Sequence, residues 1–188
     1  PPQILQIPTA GCLNVHPSLL PQFRGAAPIF WAFRQGVQET GVSIHWMDEG
    51  FDTGDVVAQR PFRLPNGISA AETEWALAQM GGQLLVEVLE QLAANQASAT
   101  RQLSGGYAAP WPAASDFELD LSWTAQRAYN FMWGTQGWKR PYFIVLNGQN
   151  VYVNEALEII SDEKQSRPLV HMGGHTRIQF SDKLLVCR

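Results

Sequence analysis

Residues 11–55 read GCLNVHPSLLPQFRGAAPIFWAFRQGVQETGVSIHWMDEGFDTGD. Cys12–Val15 is apolar apart from Asn14 and lies between Gly11 and Pro17, as expected of a short buried strand. His16 precedes Pro17, which steers its backbone toward extended conformations. His16 therefore falls at a strand end, where α/β folds place ligands. Ser18–Gly25 reads as loop, punctuated by Pro21 and Gly25. Pro28 suits a first helical turn, and Ile29–Gln35 continues the helix up to Gly36. Ile29, Phe30, Trp31 and Phe33 are expected in the core. Val42–Met47 is a second β-rich run. Asp48–Asp55 turns the chain into a third strand, Val56–Arg63, with Pro61 suggesting a sheet edge or a strand end.

Asn14 and His16 are two residues apart, so on a strand their side chains share a face. An amide donor beside an imidazole suits a reaction in which negative charge develops on a carbonyl oxygen. Asp52, in the turn after the second strand, is the candidate carboxylate partner. Beside an imidazolium it is expected to raise the pKa of His16 and to stay ionised itself. Taken singly these signals are weak. An Asn-x-His pair arises often by chance, and an Asp in a Gly-rich turn is by default a turn former. His45 reads as a hydrogen-bonded core or pocket histidine. Asp48, Glu49 and Asp55 are acidic enough to suggest a divalent metal, but they lack calcium-loop spacing and no His or Cys pair joins them, so no metal is expected. The chain has no GxGxxG, GxxxxGKS or GxSxG motif, leaving nucleotide binding and serine hydrolysis without motif support.

At 188 residues, with 45% hydrophobic and 16% charged residues, the composition is that of a globular chain with a substantial core. The net charge is −4. Residues 1–110 hold five Lys/Arg and nine Asp/Glu, and residues 111–188 hold eight of each. Neither part is basic enough to suggest a nucleic-acid surface. Cys12 and Cys187 make no metal or redox spacing, which favours a reduced, cytoplasmic protein. No run reaches membrane-spanning length, and no signal peptide is visible. The abrupt opening PPQILQIP and the ending IQFSDKLLVCR are expected to mark a fragment of a longer chain.

Beyond the third strand, Ser69 and Glu72 have capping-box spacing. Ala70 to about Asn95 reads as an amphipathic helix with Trp75, Leu77, Leu84, Leu85, Val88, Leu89 and Leu92 on its apolar face. Gly81–Gly82 is a place where it would bend or split. Residues 96–115 are rich in Ser, Gly and Pro, which sets a linker at 101–115. After it, Asp120–Trp133 is expected to be a helix capped by Ser122. Strands are expected at Tyr142–Leu146, Val151–Ile160, Leu169–Met172, Thr176–Phe180 and Leu184–Cys187, with turns at Asn147–Gly148 and Ser181–Asp182.

As an ordered set, NVHPSLLPQFRGAAP followed by TGVSIHWMDEGFDTGDVVAQ closely resembles the folate-dependent formyltransferase family. Its members include methionyl-tRNA formyltransferase, glycinamide ribonucleotide formyltransferase, sugar N-formyltransferases and the hydrolase domain of 10-formyltetrahydrofolate dehydrogenase. The shared pattern is Asn14, His16, Ser18–Pro21, Arg24–Pro28 and Asp48–Gly54. The resemblance implies an α/β, Rossmann-like catalytic domain, N-terminally truncated here, whose C-terminal portion is residues 1–100. It implies 10-formyltetrahydrofolate as donor and Asn14, His16 and Asp52 as the catalytic trio. Met47, Asp48, Glu49, Gly50 and Phe51 would border the pteridine pocket. The tail from SWTAQRAYNFMWG looks like the small β-barrel-like C-terminal domain of the tRNA enzyme and of the dehydrogenase's hydrolase domain, here residues 116–188. The implied acceptor is an amine, either methionyl-tRNA or a small amine such as an amino sugar; the charge gives tRNA no support. A 10-formyltetrahydrofolate hydrolase and a non-catalytic folate-binding module are the alternatives.

Overall fold

A computed structural model of the chain describes residues 2–161, 163 and 165–188. Two compact units emerge. The first is Pro1–Ala32, Val37–Leu64 and Glu72–Trp111; the second is Phe33–Gly36, Pro65–Ala71 and Pro112–Arg188. Helix α1 (Pro2–Leu5) precedes the expected elements of the catalytic stretch, which form as strand β1 (Leu13–His16), helix α2 (Pro28–Gln35), strands β2 (Glu39–Trp46, three residues earlier in its start than expected) and β3 (Val56–Arg63), and helix α3 (Ala70–Ala93). The sheet order is β1-β2-β3, and both pairings are antiparallel.

Strand alternation sorts β2 into two faces. Val42 and Ile44 join Leu77, Leu84 and Val88 of α3 in one buried cluster. The helical residues recur at spacings of seven and four, so they form one stripe. Gly81 lies on the same side and is also buried. A Cβ there would come within 2.7 Å of Val15 Cγ1, so the missing side chain allows the helix to approach the sheet. Across the Gly81–Gly82 pair α3 remains a single helix rather than splitting. Trp75 and Leu89, expected on the apolar face, are instead 68% and 51% exposed. The buried stripe runs through positions 77, 81, 84 and 88, and neither residue falls on it. Phe30, Trp31 and Phe33 are buried, as their apolar character requires.

The second unit is built around helix α4 (Ala125–Thr135) and six strands: β4 (Tyr142–Leu146), β5 (Gln149–Val153), β6 (Ala156–Ile160), β7 (Leu169–Met172), β8 (His175–Gln179) and β9 (Leu184–Cys187). They form a β4–β5 hairpin and a four-stranded sheet ordered β6-β9-β8-β7. Asn147 and Gly148 both have positive φ, which suits the tight turn between β4 and β5. Phe117, Trp123, Phe131 and Tyr142 make a buried aromatic cluster. Arg34 and Arg127 flank Trp123, with guanidinium carbons 4.8 and 4.1 Å from the ring centre.

Two expectations are corrected here. The helix starts at Ala125 with Thr124 as its cap, accepting from the Arg127 amide. Ser122 is instead held in a turn by Asp120, whose carboxylate accepts the Ser122 amide at 2.8 Å. The run Val151–Ile160 is two strands, because the amides of Asn154 and Glu155 both turn to the Arg188 carbonyl. Among the described residues no helix is long and apolar enough to cross a membrane.

Candidate active site

The face of β2 opposite its core carries Ser43 and His45. Antiparallel register sets Asn14 against His45 and His16 against Ser43. Ser43 secures the loop that follows β1: its hydroxyl donates to the Ser18 carbonyl and accepts the Leu20 amide. Asp52 arrives from the β2–β3 turn with a positive φ of 57°, a conformation Asp tolerates better than most residues.

Asn14, His16 and Asp52 meet. The Asn14 amide nitrogen lies 3.3 Å from Asp52 Oδ1, and His16 Nδ1 lies 3.5 Å from Asp52 Oδ2. His16 Nε2 donates to the Phe23 carbonyl at 2.9 Å. The Gly25 amide donates to Asp52 Oδ2 at 2.8 Å. His45 completes the cluster, its Nε2 lying 3.2 Å from Asn14 Nδ2 and 3.5 Å from Asp52 Oδ1. Its place as a buried, hydrogen-bonded pocket histidine agrees with expectation, whereas its pairing with Asn14 depends on cross-strand register.

Electrostatics reverses one expectation. His16 is only 4% exposed, and burial pushes its pKa below the ordinary 6.5. The Asp52 charge and the Phe23 carbonyl pull upward but do not prevail, and the neighbouring His45 adds to the lowering. The imidazole is thus biased toward its neutral form, with desolvation outweighing the carboxylate. For Asp52, burial alone would raise the pKa. The nearby His45 and His16 rings and the Gly25 amide together outweigh burial and hold it below the ordinary 3.8. The ionised Asp52 therefore agrees with expectation, while the resident His16 cation does not.

Met47, Asp48, Glu49, Gly50 and Phe51 line a cleft of about 430 Å³ together with Asp52, His45, Ile4 and Leu5. Phe51 is 85% exposed at its edge. Asp48 shapes the turn, since its Oδ1 accepts from the Gly50 amide and the Thr53 hydroxyl. Among the described residues no group of three or more His, Cys, Asp or Glu is arranged to hold a metal. One supporting residue was missed. Gln102 donates to the Asp52 and Gly54 carbonyls at 2.9 and 2.7 Å, and its own oxygen accepts from Arg24 Nε and Nη2. It lies fifty positions from Asp52, in a stretch with no periodicity, so nothing local marks it.

Asn14, His16 and His45 thus gather around Asp52, and of these four His45 and Asp52 line the cleft. Residues 1–89 match the family described as formyl transferase. It is 42% identical over 147 residues to a methionyl-tRNA formyltransferase of Pelotomaculum thermopropionicum, covering 76% of this chain and 46% of that one. The formyltransferase PseJ from Anoxybacillus kamchatkensis, solved with UDP-4,6-dideoxy-4-formamido-L-AltNAc and tetrahydrofolate, is 28% identical with a TM-score of 0.53, covering 58% of each chain. An N-formyltransferase from Helicobacter canadensis, solved with folinic acid and dTDP-3-aminofucose, shares the fold with a TM-score of 0.67 at 15% identity, covering 93% of this chain and 64% of that one. The chain spans about half the length of the curated relatives it matches.

Proposed function

We propose that this chain carries the catalytic centre for transfer of a formyl group from 10-formyltetrahydrofolate to an amine. One observation carries the reading: Asp52 lines the cleft and gathers Asn14 on one carboxylate oxygen and His16 on the other. In the reaction an amine nitrogen attacks the formyl carbon, forming a C–N bond and leaving negative charge on the formyl oxygen. The Asn14 amide donates to that oxyanion. One of its N–H groups now rests on Asp52 Oδ1 at 3.3 Å, a long contact that the oxyanion can replace. His16 has its Nε2–H on the Phe23 carbonyl, so Nδ1 is free to take the proton released by the attacking nitrogen. Asp52 stabilises the imidazolium formed. Cleavage of the bond from the carbon to N10 then returns that proton to N10, giving tetrahydrofolate and the formamide. His16 is here a base that becomes charged during turnover.

Met47–Phe51 supply the pteridine-facing wall. The exposed Phe51 and Met47 suit a flat aromatic donor. Methionyl-tRNA is the acceptor we place first, since identity is higher to relatives named for it than to the sugar enzyme. Residues 1–100 are read as the C-terminal portion of the catalytic domain, 101–115 as linker and 116–188 as the barrel-like domain, in a cytoplasmic protein. The full-length open reading frame, incubated with 10-formyltetrahydrofolate and either methionyl-tRNA or amino sugars, should yield tetrahydrofolate and formylated acceptor in equal amounts. Formate without formylated acceptor would make it a hydrolase; folate binding without either product would sink the catalytic reading.

A further inference from the structure

We infer that His45 is a positioning residue that orients the Asn14 amide; the inference rests on the formyl-transfer reading above. The Nδ1 of His45 lies 2.7 Å from the Trp46 carbonyl, which can only accept, so the proton sits on Nδ1. The Nε2 lone pair then faces Asn14 Nδ2 at 3.2 Å. That fixes which end of the amide is the NH2 group, an end otherwise free to swap with the oxygen by a half-turn. One N–H is anchored on His45. The other rests on Asp52 Oδ1 and is the one a developing oxyanion takes over.

Two features separate this role from space filling. His45 is only 2% exposed, yet both of its ring nitrogens have polar partners. An apolar residue would fill the same volume without an acceptor. The sheet is also irregular at this point: Ile44 pairs with Ala58, but His45 pairs with Val56, leaving Val57 as an extra residue. Such bulges re-aim side chains next to functional sites. The groups facing His45 are His16 of β1, its ring centre 6.4 Å away, together with Asn14 of β1 and Asp52 of the β2–β3 turn. No other charged group approaches it in the described hydrogen bonds and ion pairs.

The test uses the full-length protein with His45→Phe, which removes the acceptor, and His45→Gln, which restores one through Oε1. His45→Phe is expected to lower kcat roughly 10- to 100-fold with KM nearly unchanged, as for an interaction realised only in the transition state. His45→Gln should recover most of that loss. The Asn14 side-chain amide signal in 1H–15N spectra, assigned with Asn14→Asp, should move in His45→Phe and return toward its wild-type position in His45→Gln. In an Asn14→Ala background, His45→Phe should lower kcat no further. Wild-type kcat in His45→Phe, an unmoved Asn14 amide signal, or an undiminished effect of His45→Phe in Asn14→Ala would each overturn the inference. The amide signal reads positioning even where no acceptor is turned over, so failure of the formyl-transfer reading is distinguishable from failure of this one.

Discussion

His16 is held from both ends: Nε2 donates to the Phe23 carbonyl at 2.9 Å, while Nδ1 stands 3.5 Å from Asp52 Oδ2. The backbone contact locks the ring orientation and fixes the tautomer of the neutral ring. The opposite nitrogen and the carboxylate are left as two acceptors with room for one proton between them. On the proposed mechanism that proton comes from the attacking amine. His16→Ala and Asp52→Asn should therefore each lower turnover by about 10²- to 10⁴-fold, the usual worth of a positioned acid–base group. Folate affinity, measured by equilibrium binding, should stay close to wild type. Near-wild-type turnover in either variant removes the assignment.

The pH dependence follows from the same pair. The folded pKa of His16 is lowered from 6.5. Below 6.5 the unfolded chain takes up a proton that the folded chain refuses, so stability falls as the pH drops through that window. The folded pKa of Asp52 is lowered from 3.8; its contribution is complete above 3.8 and is lost as the pH falls toward the lowered value. Both groups make acid destabilising. Tm measured between pH 7 and 5 should decline, and His16→Gln should flatten the decline. A wild-type Tm that holds or rises on acidification contradicts the lowered His16 pKa. The acid limb of kcat/KM should likewise fall below the ordinary histidine range.

Gly54 is pressed against the second strand. A Cβ there would lie 1.9 Å from the Trp46 carbonyl oxygen, and backbone cannot yield as a flexible side chain can. Gly54→Ala should cost about 3 kcal/mol of stability by urea unfolding, the upper part of the usual overpacking range, and should displace Asp52. Gly82, with nothing within 4 Å of a built Cβ, is the control. Gly82→Ala in the exposed helix should gain about 0.5–1 kcal/mol.

Gln102 ties the Asp52 turn to Arg24 through four hydrogen bonds. Gln102→Leu leaves the Asp52 and Gly54 carbonyls and the Arg24 guanidinium short of partners. The expected loss is about 1–3 kcal/mol, with kcat falling more than KM rises because the carboxylate loses its backbone support. Steady-state kinetics alongside thermal unfolding would separate the two effects.

In the second unit, Tyr142 is buried and its hydroxyl donates to the Met132 carbonyl beside Thr135. Burial pushes its pKa up to about 12. Tyr142→Phe removes that donor and should cost about 1–2 kcal/mol without changing kcat. Spectrophotometric titration of the folded wild type should show one tyrosine ionising only near pH 12.

Much of this was readable from local signals. Pro28 and Gly36 bracket α2, and turn residues bracket β1, β2 and β3, because those residues act on their own backbone. The shared face of Asn14 and His16 follows from strand geometry alone. What escaped depends on distant parts of the chain. The direction of the His16 shift is set by how deeply the fold buries it, whereas the sequence displays only the nearby carboxylate. The company of His45 is set by its register with Asn14. Gln102 reaches the site from a stretch without pattern, and the break at Asn154–Glu155 is made by the carbonyl of the final residue. Within 116–135, Ser122 and Thr124 are both competent caps; Asp120 decides between them by capturing Ser122.

The left-handed backbone at Asp52 has a genetic corollary. Few side chains accept that conformation, and Asn is among the best tolerated. A codon for Asp becomes one for Asn by a single transition. The substitution that should silence the proposed chemistry is thus also one the turn admits most easily. Chains that have shed the proposed turnover while keeping the fold are one base change away, and Asn at position 52 would be their mark.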